Sequence, residues 1–274
     1  MPGLQELRNE ALIDLDQKHL SERMQRYFNA DEPFAVLQED DCGLVRSMAR
    51  FEASRARNNL LKSEVFRVKN LRRFHQRVFE EKWCYHTTTR PIWNDPRPEL
   101  AAIIGPNNPA LVSRAYRERP NEGPHVLLTT ALPDYHLLRP NCAAITFFRA
   151  DGTSNLSPFA RAWLAAMGMA DPDADKEIAA LPWYHCVAIG HSPAWLSENS
   201  DGIRQDWPRV PLPDSATLLR ASAALGARVA ALLDPDTPVP CVTIGTIQPV
   251  IATIAVPAKR GGGAMTEADR LLTA

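Results

Sequence analysis

Apolar side chains recur at helical spacing from the start of this chain. Leu4, Leu7, Ala11, Leu15, Leu20, Met24 and Phe28 fall on one side of a 3.6-residue repeat and predict a helix over 4–28. Asp31-Glu32-Pro33 ends it. A second helix is predicted over about 43–62. Leu44, Met48 and Phe51 form its apolar side, and Arg46, Arg50 and Arg57 line the other. From residue 65 to about 149 the period shortens. β-prone runs at 65–68, 82–88, 111–116, 125–130 and 143–148 are separated by turns such as Gly105-Pro106-Asn107-Asn108-Pro109. After Asp151-Gly152 the pattern turns helical again. Ser157-Pro158 and Ser192-Pro193 are helix starts, Gly168 and Gly202 are stops, and a helix is expected over 183–189. Residues 207–213 must be extended, because proline forces its predecessor out of the α region. Asp214 or Ser215 caps a long Ala/Leu helix to Leu233, and strands follow at 242–247 and 250–256.

The fold class is therefore α+β, with N-terminal helices, a β-rich mixed-sheet body and a helical C-terminal half. The expected divisions are a helical linker or docking segment over 1–63, the β-rich body over 64–150, a helical support region with terminal strands over 151–257, and a flexible tail over 258–274.

Composition adds little to this picture. Hydrophobic residues make up 45% and charged residues 23% of 274, ordinary for a globular protein. No apolar run approaches the roughly 20 residues of a membrane span. Pro2, Gly3 and the acidic stretch after them do not fit a signal peptide, so a cytoplasmic protein without a membrane partner is expected. The five cysteines are widely spaced with no CxxC pair, which argues against a disulfide framework or a zinc ribbon. Charge changes the picture more. Residues 1–45 carry 4 basic and 10 acidic side chains, whereas residues 46–97 carry 13 basic and 5 acidic. A block this basic in a chain of net charge -1 points to a localised anionic partner, or to a face that the acidic N-terminus neutralises within the fold.

Catalytic chemistry is not written in the motifs. The seven histidines form no HxH or HExxH pair, so no metal site is expected. There is no GxSxG elbow and no GxxxxGK[ST] loop. Asn108-Pro109-Ala110 lacks the second proline and the aromatic of the tetrapeptide with which adenine-N6 methyltransferases hold a flipped base. No catalytic residue is assigned. A hydrolase built on Asp134, His136 and His185 has no spacing to support it.

Binding remains. Two segments concentrate Arg, Trp and Pro: Trp83-Cys84-Tyr85-His86-Thr87-Thr88-Thr89-Arg90-Pro91-Ile92-Trp93-Asn94-Asp95-Pro96-Arg97, and Ile203-Arg204-Gln205-Asp206-Trp207-Pro208-Arg209-Val210-Pro211-Leu212-Pro213. Arginine grips guanine O6 and N7 with two hydrogen bonds, asparagine does the same for adenine, and threonine meets phosphates or a thymine methyl. Arg90, Asn94, Arg97 and Thr88 are the candidate base contacts. Arg46, Arg50, Arg57, Arg72, Arg73 and Arg209 are the candidate phosphate contacts. Phe74, Phe79, Trp83 and Tyr85 are assigned to the core instead. The 207–213 stretch is expected to be a structural strap that exposes Arg204 and Arg209.

These segments resemble the C-terminal specificity, or target-recognition, domain of type ISP restriction-modification enzymes, which contain an adenine-specific DNA methyltransferase. Four blocks carry the resemblance, which covers nearly all of the chain from about Met24: residues 82–97; Asn155-Leu156-Ser157 with the helix through Gly168; Trp183-Tyr184-His185 through His191-Ser192-Pro193-Ala194-Trp195-Leu196; and residues 198–233. Residues 1–45 look like the helical link from a methyltransferase domain, while the glycine-rich tail departs from the family pattern. The resemblance implies sequence-specific recognition of double-stranded DNA in restriction-modification and phage defence. Methylation and cleavage would be carried by other domains or chains. S-adenosylmethionine and ATP would belong to those partners, a methyltransferase domain or subunit among them, and no cofactor to this chain. The alternative is a docking remnant or decoy specificity subunit that binds a methyltransferase without reading DNA.

Overall fold

The computed structural model describes residues 1–5, 9–38, 43–49, 51–115, 125–138, 141–234 and 238, without the side chains of Asn9 and Glu10. The chain divides into two units, Met1–Pro235 and Asp236–Ala274. The strands expected at 242–247 and 250–256, the tail and Arg50 lie outside the described residues.

The first predicted helix is broken in two. A single turn, α1 (Asn9–Leu12), runs into a short strand, β1 (Ile13–Asp14), before α2 (Gln17–Phe28). The break is set by Asp16, whose carboxylate accepts the Lys18 and His19 N–H groups and so caps α2. Leu15 is consequently 59% exposed although it falls on the predicted apolar side. Helix α3 (Phe34–Gln38) follows. The next long helix, α4 (Ala53–Ser63), begins ten residues later than its periodicity suggests. Glu52 is its cap, accepting the Ser54 and Arg55 N–H groups, and residues 43–49 are turns.

Strands β2 (Leu71–Arg77) and β3 (Glu80–Tyr85) form a hairpin with Phe79 at its tip. Phe79 has a φ of 62° and is 63% exposed, so it is not a core residue. After α5 (Pro98–Ile103) come β4 (Ala110–Ser113), β5 (Val126–Thr129), β6 (Leu132–Pro133) and β7 (Ala143–Thr146). The strands make two sheets. One is mixed, in the order β1-β3-β2-β6, with β6 parallel to β2; the other is antiparallel, in the order β5-β4-β7.

The C-terminal half is helical as the sequence predicts. Ser157 caps α6 (Pro158–Ala166), and Gly168 follows it with φ 72°. Asp175 caps α7 (Lys176–Gly190), which extends well beyond the predicted 183–189. Ser192 caps α8 (Pro193–Glu198). Gly202 does not end a turn but lies inside α9 (Ser200–Gln205). Ser215 caps α10 (Ala216–Leu233). By length and composition α10 is apolar enough to cross a membrane, but it packs along α7.

Two apolar clusters result. Leu20, Met24, Phe74, Tyr85, Trp93 and Leu132 belong to the first, which joins the N-terminal helices to the mixed sheet. Phe147, Trp183, Val187 and Leu219 belong to the second, between the antiparallel sheet and helices α6, α7 and α10. Val229 of α10 packs against both.

Candidate nucleic-acid interface

The loop from β3 to α5 is anchored by its aromatic residues and presents its polar ones. Ile92 and Trp93 are fully buried. The Trp93 ring meets Phe74 edge-on at 5.8 Å, and its Nε1 donates to the Tyr85 carbonyl at 2.9 Å. The His86 Nε2–H donates to the Pro96 carbonyl at 2.7 Å. Burial lowers the basicity of His86 and favours the neutral ring, and the bond to the Pro96 carbonyl offsets part of this. Between these anchors Thr88 and Arg90 are exposed. No described residue pairs with the Arg90 guanidinium.

Helix α4 lies alongside this loop. Ser63 Oγ is 3.0 Å from Thr89 Oγ1. Arg55 and Asn59 line a groove of about 440 Å³ with Met48, Phe51 and Pro91. Arg55, Asn59 and Lys62 recur one helical turn apart and are exposed, so they form one polar, basic face beside Thr88 and Arg90. Past the end of α4, Arg67 and Lys69 are exposed as well.

The other predicted contacts separate from this surface. Arg57 is 5% exposed and cannot belong to a wet stripe. Its Nε donates to the Tyr27 carbonyl at 2.9 Å and its Nη2 to the Asn29 carbonyl, so it satisfies the end of α2. Arg72 does the same for α5, donating to the Ala101 and Ile104 carbonyls at 3.0 and 3.1 Å. Arg73 pairs with Glu81 at 3.3 Å and lies over the Trp83 ring. Asn94 is exposed, but its amide donates to Gln5 Oε1 at 2.8 Å. Arg97 is partly buried at the cap of α5, with φ 43°, and pairs with Asp95. Arg46 is exposed within the turns before α4 and not on the helix. Arg209 is 90% exposed and 3.3 Å from Asp206 on the extended segment after α9.

That segment is held to the helices by its own carbonyls. Trp163 Nε1 donates to Pro213 O at 2.9 Å, and His185 Nε2 donates to Pro211 O at 2.8 Å. The His185 Nδ1 then accepts from Ser222 Oγ at 2.7 Å. His185 is thus an internal tie between α7, α10 and the segment.

Arg55, Asn59 and Lys62 were not singled out in the sequence. Their i, i+4, i+7 spacing is the signal, and it becomes visible once Glu52 is recognised as the cap of α4.

The family model for the Type ISP C-terminal specificity domain matches residues 1–242. No curated protein sequence matches the chain. Among solved structures, a DrdV–DNA complex aligns with a TM-score of 0.57 at 19% identity, covering 85% of this chain and 23% of that one. The Type ISP restriction-modification enzyme LlaBIII bound to DNA aligns with a TM-score of 0.55 at 14% identity, covering 85% and 15%. A nuclease-deletion mutant of the Type ISP enzyme LlaGI with a DNA substrate mimic gives 0.51 at 13% identity, covering 85% and 18%. At these identities the likeness is one of fold, and this chain spans less than a quarter of each of those chains.

Proposed function

This chain belongs to the Type ISP C-terminal specificity domain family, and we propose on that premise that it reads double-stranded DNA at a defined sequence. In this reading it directs methylation and cleavage carried by other domains or chains. S-adenosylmethionine and ATP are bound by those partners, and one of them is a methyltransferase domain or subunit. The observation that carries the proposal is the pairing of an exposed Thr88 and Arg90 with the basic face of α4. An exposed arginine with no pair among the described residues, beside an exposed threonine, is fitted to base edges, and flanking exposed cations are fitted to phosphates. The DNA-bound states described for DrdV, LlaGI and LlaBIII favour the same partner for this chain.

The experiment is selection of random duplex DNA by the purified chain at low and moderate salt, followed by sequencing. A motif that persists at moderate salt is expected. Arg90→Ala should degrade one or two adjacent positions of it, at about 1–3 kcal/mol of discrimination each. Retention without a motif, lost as salt rises, would reduce the interaction to backbone attraction. No retention at either salt would leave docking to a methyltransferase as the function.

A further inference from the structure

Glu64 stands at the end of α4, and among the described residues its side-chain hydrogen bonds are directed into the Thr87–Thr89 loop. Its N–H donates to the Leu60 carbonyl at 2.8 Å and closes the helix. Just beyond, Phe66 stacks on Tyr85 at 5.5 Å, and the Arg67 N–H donates to the Tyr85 hydroxyl at 3.1 Å. The carboxylate therefore leaves a backbone that is fixed on both sides. Its Oε1 accepts from the hydroxyls of both Thr87 and Thr89. Thr87 Oγ1 in turn accepts the Thr89 N–H at 3.1 Å. Thr87 is 1% exposed, so the loop is pinned on either side of Thr88, which itself faces solvent.

A carboxylate within a basic block works against attraction to a phosphate backbone. Its bonds instead order the residues that surround the exposed contacts, and ordering a loop before it binds moves that cost from association to folding. Resting on the DNA-reading function above, we propose that Glu64 is a positioning residue for sequence readout. It sets the register of Thr88 and Arg90 against base edges without itself touching DNA.

Selection from random duplex DNA, with the full chain, tests this for wild type, Glu64→Gln, Glu64→Ala and Thr87→Val, with thermal unfolding of each. Glutamine keeps an oxygen that accepts both hydroxyls. Alanine removes it, and valine removes one donor while keeping its buried shape. Glu64→Gln is expected to select the wild-type motif. Glu64→Ala and Thr87→Val are expected to lose roughly tenfold or more of the discrimination at one or two adjacent positions, with an unchanged salt slope. A motif as sharp in Glu64→Ala as in wild type overturns the positioning role alone, and Thr87→Val decides if the alanine variant does not fold. Weaker binding to every sequence with a shallower salt slope also overturns it, because that is the signature of a lost phosphate contact. A wild-type chain that enriches no motif overturns the DNA-reading function, and the positioning role with it.

Discussion

The indole Nε1 of Trp93 donates to the Tyr85 carbonyl at 2.9 Å and closes the loop bearing Thr88 and Arg90 onto the strand it leaves. Both residues are fully buried, so no water replaces the bond if the donor is lost. Trp93→Phe should destabilise the fold by about 1–3 kcal/mol, the cost of an orphaned buried carbonyl plus lost contacts. Urea unfolding measures this. A variant with wild-type stability would mean that the loop is held from elsewhere.

Arg57 and Lys62 share α4 but have separate duties. Arg57 serves the carbonyls of Tyr27 and Asn29 inside the fold, while Lys62 projects from the basic face. Arg57→Met should cost about 1–3 kcal/mol of stability by removing the guanidinium donor from the buried Tyr27 carbonyl, while the Asn29 carbonyl keeps the Glu32 N–H, without altering the salt dependence of DNA retention in the folded protein. Lys62→Ala should leave stability within about 0.5 kcal/mol. It should weaken binding to all sequences alike and lower the salt slope by about 0.9. Denaturant curves and salt titrations on both variants separate the two roles. An Arg57→Met protein that unfolds normally but binds DNA poorly would reverse the assignment.

That contrast also shows what the sequence could and could not reveal. The capping serines 157, 192 and 215 act locally, so the helices they start were legible. Strand β2 was not, because its arginines and its buried Leu71 and Phe74, three apart, do not alternate; pairing with β3 and β6 decides it. The start of α4 was misplaced because apolar spacing continued through Leu44 and Met48, and glutamate is an uncommon cap. The arginine stripe failed with it for Arg46, which precedes the helix, and for Arg57, which is buried. That Arg90 stays out of the core was legible from its proline-flanked context. Asn94 and Arg97 looked equivalent, but Gln5 bonds one, a partner 89 residues away that no local pattern announces, and Asp95 pairs with the other.

Gly226 sets the approach of α10 to α7. A Cβ there would lie 1.8 Å from the Tyr184 carbonyl oxygen and 2.6 Å from its carbon. These are backbone atoms, so no side-chain rotation relieves the clash. Gly226→Ala should therefore destabilise by about 3 kcal/mol, despite the gain in helix propensity. Gly202, in α9, has nothing within 4 Å of the same added atom. Gly202→Ala should be neutral or stabilise by up to about 1 kcal/mol. Thermal unfolding of the pair tests the close packing, and a tolerated alanine at 226 would refute it.

His75 gives stability a pH dependence of predictable sign. It is 2% exposed in β2, with Nδ1 3.1 Å from Thr129 Oγ1 and 3.5 Å from the Glu81 carboxylate. Burial is the largest influence and pushes its pKa down from 6.5 to about 4, against an upward pull from Asp234. At neutral pH the ring is therefore uncharged, and its contact with Glu81 is not an ion pair. As pH falls below about 6.5 the unfolded chain takes up a proton that the folded chain refuses until about pH 4. Stability is present above the unfolded pKa and drains away between those two values, by up to about 3 kcal/mol. His75→Gln keeps a hydrogen-bonding group but removes the titration. Its unfolding free energy should fall less steeply over that window than that of the wild type, whatever its absolute value. Parallel pH profiles for the two proteins would show that His75 is protonated in the folded state and that its burial does not govern its charge.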